Sequence, residues 1–519
     1  MKTVSALLLG ATAALAQQYT NPVLWEDLAD IDIIRVDDAY YYSASTMHYS
    51  PGAPVLRSYN LVDWEYVSHS VPVLDFGTAY SLGDNERAYV QGIWASTLRY
   101  QQSSSTFRWL GCIDFATTYV YSASNIEGPW EQTASIPNCY YDAGLLIDDS
   151  NNDTESVYVA YGSTAISVAE LSSDLTTEVS SQVVYDAPDD VGYIEGARFY
   201  NINGTYYIWV TRPATDQLIL KSTNGPWGPY EIREVILDVA SPVEGSGAPH
   251  QGGLVDTPSG DWWYMAFIDA YPGGRIPVLA PVTWDEDGWP SVILDDAGAW
   301  GASYDFPVVS DKEVAGIPTS YNFLQDALNA EWEWNHNPDN EQWSISENEG
   351  LVLRTASVTD DLYQAKNTLT RRIPGPNATA TLTLDLSKMV DGDVAGLALL
   401  RDKTAWIGLR KEDGSVRVSM TSGVDMAEDW TTESLGSEEE SVQLNATEVY
   451  LQVAVDIAPG GGTGRFAYSL DGSTFDPLGP EYTLNNVWEF FLGYRFGIFN
   501  YASLELGGQV SVLGFNITV

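Results

Sequence analysis

A polar turn that runs straight into a knot of aromatic residues recurs five times in this chain. The five occurrences are Asp37-Asp38-Ala39-Tyr40-Tyr41-Tyr42, Ser105-Thr106-Phe107-Arg108-Trp109, Ser156-Val157-Tyr158-Val159-Ala160-Tyr161, Asn203-Gly204-Thr205-Tyr206-Tyr207 and Ser259-Gly260-Asp261-Trp262-Trp263-Tyr264. They are spaced by roughly 50 to 67 residues, and the segments between them are short Val, Ile, Tyr and Trp runs broken by Gly, Asn, Asp and Ser. Each unit has room for several strands, and helical periodicity is almost absent. Repetition at this period predicts an all-β chain that begins with a five-bladed β-propeller; an array of β-sandwiches is the alternative. The clearest local signal is Asn203-Gly204 between two apolar runs, because a two-residue hairpin turn needs positive φ angles that Asn and Gly accept.

Around Val309 to Thr319 the aromatic repeat stops, with Ser310-Asp311-Lys312-Glu313 and then Gly316-Ile317-Pro318, and a domain boundary is expected there. Beyond it the strands alternate more simply, as in Ala378-Thr379-Ala380-Thr381-Leu382-Thr383-Leu384 and Tyr450-Leu451-Gln452-Val453-Ala454-Val455. This pattern predicts a C-terminal β-sandwich, jelly-roll and concanavalin-like. The expected organisation is a leader over 1–16, the propeller over 17–309, a linker over 310–319 and the sandwich over 320–519. The sandwich is read either as a binding module or, the favoured reading, as a buttress for the propeller.

Met1-Lys2 is followed by an apolar segment from Val4 to Ala16, the charged start, short core and small-residue end of a secretory signal peptide. It is too short to cross a bilayer, which takes about 20 apolar residues. The mature protein is therefore expected to be secreted and extracellular. Five Asn-x-Ser/Thr sequons, at Asn152, Asn203, Asn377, Asn445 and Asn516, are compatible with glycosylation. The two cysteines, Cys112 and Cys139, are expected to pair as a structural disulfide in an oxidising compartment. The chain carries 24 basic against 71 acidic residues, a formal charge of -47. That charge argues against nucleic acid and anionic membranes as partners and leaves a neutral substrate. A monomer is expected.

Three acids stand where a propeller turns its inner strands toward the axis. Asp30 lies ahead of the first repeat, Asp142 ahead of the third and Glu195 ahead of the fourth, so blades one, three and four would aim carboxylates into one funnel. An acid set among Tyr, Ile and Phe at a strand end loses hydration, which raises its pKa and leaves it a proton to donate. This points to Glu195 as a general acid.

In their order along the chain, Ala29-Asp30-Ile31-Asp32, Tyr41-Tyr42-Ser43, Gly92-Ile93-Trp94-Ala95, Asp142 before Leu145-Leu146-Ile147-Asp148, and Ile194-Glu195-Gly196 resemble glycoside hydrolase family 43. The resemblance implies an inverting, exo-acting enzyme on arabinose- and xylose-containing polysaccharides. It implies Asp30 as general base, Glu195 as general acid, and Asp142 as a charged neighbour that keeps the proton on Glu195. The family's base is usually followed by Pro where this chain has Ile31, which keeps Asp32 open as an alternative base; Ala143-Gly144 stands where Pro-Ser is usual. His250, in Ala248-Pro249-His250-Gln251-Gly252-Gly253, resembles the family's axial histidine, beneath the pocket, where it would help hold a cation such as calcium. No other cofactor is implied. Arg275 is expected to hydrogen-bond a sugar hydroxyl or to pair with Asp142. Trp94 and Tyr161 are expected to stack on sugars or fill the core, and His48 to line the rim.

Ser45-Thr46-Met47-His48-Tyr49-Ser50-Pro51-Gly52, Cys112-Ile113-Asp114-Phe115 and Cys139-Tyr140-Tyr141-Asp142 further resemble the fungal arabinoxylan arabinofuranohydrolases. Those enzymes release O3-linked α-L-arabinofuranose from doubly substituted xylose. The expected partner is therefore arabinoxylan or another neutral hemicellulose. An exo-β-xylosidase is the alternative activity, since it uses the same three acids, and a non-catalytic carbohydrate-binding propeller is the alternative of another class.

Overall fold

The computed structural model describes residues 17–150 and 155–519. The expected leader and the Asn152 sequon lie outside them. Five four-stranded antiparallel sheets form the N-terminal domain. Their inner strands are Asp32–Val36, Ser96–Gln101, Gly144–Asp148, Glu195–Ile202 and His250–Asp256. Each packs against the inner strand of the next, and the fifth returns to the first, closing a five-bladed propeller.

All five aromatic phrases fall on the second strand of their blade, at Ala39–Ser43, Thr106–Ile113, Ser156–Tyr161, Thr205–Arg212 and Trp262–Asp269. A second strand is covered on both faces by neighbouring blades, and large rings fill the widening wedge between sheets. Trp109, Trp209 and Tyr264 are completely buried there. One apolar cluster lies between each pair of adjacent blades. Nearer the axis the blades touch by backbone: a Cβ on Gly144 would stand 2.7 Å from the Ala197 carbonyl, so only glycine lets blades three and four approach this closely. The Asn203-Gly204 turn has φ values of 54° and 81°, as the hairpin requires. Gln18–Thr20 pairs with Ser303–Asp305 and brings the two ends of the propeller together.

In the C-terminal domain, Asn377–Asp385 and Glu448–Asp456 alternate buried and more exposed positions, matching their alternating sequence. Sheets of nine and eight strands enclose its core. One strand of the eight-stranded sheet comes from the propeller: Tyr49–Ser50 pairs with Trp332–Asn335 at the sheet's edge. A buried ion network also joins the domains. Glu333, fully buried, accepts from Arg372 at 2.9 Å and from Arg495, and lies 3.0 Å from His69 Nε2. Glu26 pairs with Arg371 at 3.0 Å. Such buried carboxylates persist because each is paired; a lone one would cost several kcal/mol of lost hydration. Cys112 and Cys139 form a disulfide, with Cα atoms 5.1 Å apart, that ties blade two to the segment leading into blade three.

Candidate active site

Asp30 and Asp142 each sit two residues before the inner strand of their blade, and both hold left-handed backbone, with φ of 56° and 50°. Aspartate is one of the few non-glycine residues that tolerate this region. Glu195 is the first residue of the inner strand of blade four, followed by Gly196 at φ 71°. The Gly196 N–H donates to Asp142 Oδ2 at 3.1 Å, and a Cβ there would lie 2.9 Å from Gln251 Cγ. Gln251 in turn donates to Asp30 Oδ1 at 3.2 Å. The three acids are thus linked through blades four and five around the axis.

Arg275 donates to the same Asp30 oxygen at 3.0 Å. Asp30 Oδ2 is buried without a protein partner. Glu195 Oε2 accepts from the hydroxyls of Tyr141 at 2.7 Å and Tyr193 at 2.9 Å, leaving Oε1 as its other oxygen. Burial, reinforced by the negative charges of Glu195 and Asp30, pushes the Asp142 carboxyl well above its ordinary range. Burial thus works against the charged state expected of Asp142. Adjacent carboxyls cannot all ionise together, and the proton belongs to the group of acids as a unit.

A cavity of about 690 Å³ is lined by Glu195, His250, Gln251 and Arg275 from the propeller, while Asp30 and Asp142 are buried outside its wall, Asp30 bonded to the lining residues Gln251 and Arg275. Its other wall is the sandwich segment that carries Trp488 and Phe491. The Phe491 carbonyl accepts from Arg275 Nε at 3.0 Å, and its ring packs edge-on against Trp94, 4.8 Å between centroids. The sandwich therefore shapes the cavity as well as supporting the propeller. Sequence reading missed this wall, because a loop nearly three hundred residues beyond Glu195, and farther from the other two acids, carries no local motif.

Several expected positions are corrected. Asp32 is fully buried and its Oδ2 accepts from Thr97 Oγ1 at 2.7 Å, Leu98 N at 2.8 Å and Arg99 Nη1 at 2.6 Å; like Asp30 it is not in the cavity wall, and it has no bond to a residue that is. His48 is fully buried at the domain interface, stacked among Tyr49, Tyr89 and His336, not at the rim. Tyr161 packs against Tyr140 inside blade three, away from the cavity. Arg275 pairs with Asp30, not with Asp142. His250 lines the cavity, edge-on to Phe267 with centroids 4.4 Å apart and Nδ1 2.9 Å from the Ala248 carbonyl. Among the described residues no three His, Cys, Asp or Glu side chains form a metal-holding group.

Compared with known proteins, residues 19–290 match the sequence model described as glycosyl hydrolases family 43. The chain belongs to this family. It is a glycoside hydrolase, and residues 320–511 match the concanavalin A-like C-terminal domain of β-xylosidases. Among solved structures, the chain is similar to a family 43 glycoside hydrolase whose active site was engineered to display both endo-xylanase and exo-arabinofuranosidase activity. The two share 45% identity over 97% of this chain and 100% of that one, with a TM-score of 0.93. A β-xylosidase from Formosa agariphila is 28% identical over 95% of this chain and 89% of its own length. A non-reducing end α-L-arabinofuranosidase from Bacteroides ovatus is 29% identical over 79% of each.

Proposed function

We propose that this family 43 enzyme is a secreted, inverting α-L-arabinofuranosidase of arabinoxylan, acting on O3-linked arabinose of doubly substituted xylose. The observation that carries the reading is the contrast between two carboxylates. Asp30 has one oxygen held by Arg275 and Gln251 and the other without a protein partner, while Glu195 stands in the cavity wall with one oxygen held by two phenols. Asp30 takes a proton from water as the water attacks the anomeric carbon. Glu195 gives its proton to the departing oxygen of the xylose unit. Asp142 is buried against Gly196 outside the cavity wall, and delivery runs through Glu195 because its side chain is the one of the three acids in that wall. Arabinose is favoured over xylose by the likeness to the engineered enzyme with exo-arabinofuranosidase activity. Secretion rests on the apolar leader and fits the disulfide.

An exo-β-xylosidase is the second reading, favoured by the match of the sandwich to the β-xylosidase C-terminal domain and by the Formosa agariphila relative. Incubation with arabinoxylan and with xylo-oligosaccharides separates the two. Free arabinose without xylose supports the first reading, and xylose alone supports the second.

A further inference from the structure

Arg198 is completely buried on the inner strand of blade four, and nothing in the reaction as described uses it. Its guanidinium reaches across the axis. Nη2 donates to the carbonyl of Asp30 at 2.8 Å, Nε to the carbonyl of Ile31 at 3.0 Å, and Nη1 to the carbonyls of Ala143 and Ala197 at 3.0 Å each. These carbonyls belong to Asp30 itself, to its neighbour, to the neighbour of Asp142, and to the strand that begins at Glu195. One planar fork therefore fastens together the three strand starts that carry the acids, and no flexible ammonium could reach all four oxygens. Two of those starts hold left-handed backbone, at Asp30 and Asp142. The charge of Arg198 is matched by Asp32, 3.8 Å from Nε, which Arg99 also neutralises.

We infer that Arg198 is the positioning residue of the active site, fixing the relative placement of Asp30, Asp142 and Glu195 through their backbones; this rests on the catalytic reading of those three acids. The charged and titratable groups that act on or are acted on by Asp142 are Glu195, Asp30, Arg198 and the Tyr141 phenol. Arg198 is the cation among them, so it also opposes the retention of the shared proton.

Two variants separate geometry from charge. Arg198→Lys keeps the charge and loses the fork, and kcat is expected to fall about 100-fold with KM within a factor of about three, the pH limits of kcat/KM staying in place. Arg198→Met loses both, and the upper pH limit is expected to move up as well. If the Met variant does not accumulate as folded protein, the Lys variant decides alone. Folded Arg198→Lys with kcat within about threefold of wild type overturns the inference, and so does a Met variant whose upper limit does not move. Glu195→Gln measured alongside keeps the two claims apart. Full activity there defeats the catalytic assignment, whereas an inactive Glu195→Gln beside a normal Arg198→Lys defeats only the positioning role.

Discussion

Arg275 donates from Nη1 to Oδ1 of Asp30 at 3.0 Å. Its Nε donates to the Phe491 carbonyl of the sandwich at the same distance. A single cation thus ties the proposed base to the second domain, and the orientation of Asp30 depends on residues far along the chain.

Asp30 and Asp32 are separated by one residue and by entirely different surroundings. Asp30→Asn removes the proposed base and is expected to lower kcat of the folded protein by about 10²–10⁴-fold, and because it breaks the buried pair with Arg275 a loss of stability accompanies it. Asp32→Asn breaks a buried ion pair with Arg99 and is expected to cost about 3 kcal/mol of stability while the folded fraction stays active. Steady-state kinetics and denaturant unfolding on both variants check this. The reverse pattern would transfer the base to Asp32.

Inversion is expected at the anomeric centre. An inverting glycosidase needs base and acid on opposite sides of the sugar, about 6.5–9.5 Å apart to admit the attacking water. Proton NMR of the first-formed arabinose reads the configuration before mutarotation, and a retained anomer would sink the base assignment.

Trp488 is 57% exposed and stands edge-on to Phe491 at 5.3 Å in the cavity wall. Trp488→Ala is expected to raise KM for arabinoxylan about tenfold, the value of one stacked ring. The unfolding midpoint and kcat on a small aryl arabinofuranoside should hold. An unchanged KM would remove the sandwich from substrate binding.

The domain interface buries His48 and His336 with ring centroids 4.9 Å apart, and His336 Nε2 accepts from Ala88 N at 3.0 Å. Burial lowers the His336 pKa to about 3 and holds His48 well below its usual value, with their mutual repulsion adding to the effect on His48. Both are neutral when folded, so their contribution to stability is complete above about pH 6.5 and is lost as pH falls toward about 3. Glu333, whose carboxyl its arginine partners hold down despite burial, loses its contribution only below about pH 4.5. Asp142, raised on folding, acts in the opposite sense. Comparing wild type with His336→Gln cancels the latter two. The unfolding free energy of wild type is expected to fall more steeply between about pH 6 and 4; parallel slopes would refute the role.

The parts of this molecule that repeat were legible, because burial between blades imposes the same demand five times. The aromatic phrases marked second strands, and Asp30 and Asp142 announced themselves by standing before inner strands. Asp32 and Asp30 look alike in sequence, and only the arrival of Arg99 from blade two distinguishes them. His48 reads as a rim residue until Tyr49–Ser50 is seen paired with the sandwich. The proton distribution among the acids depends on how deeply Asp142 is buried, which no local pattern encodes.

The two-residue strand at Tyr49–Ser50 also caps an edge. Without it, Trp332-Glu333-Trp334-Asn335 would present unpaired backbone groups flanked by two tryptophans, a template for joining chain to chain. A sandwich expressed alone would be prone to aggregate, and a shuffled one would need a replacement cap. The two domains are consequently poor currency for exchange and are best inherited, expressed and engineered as one piece.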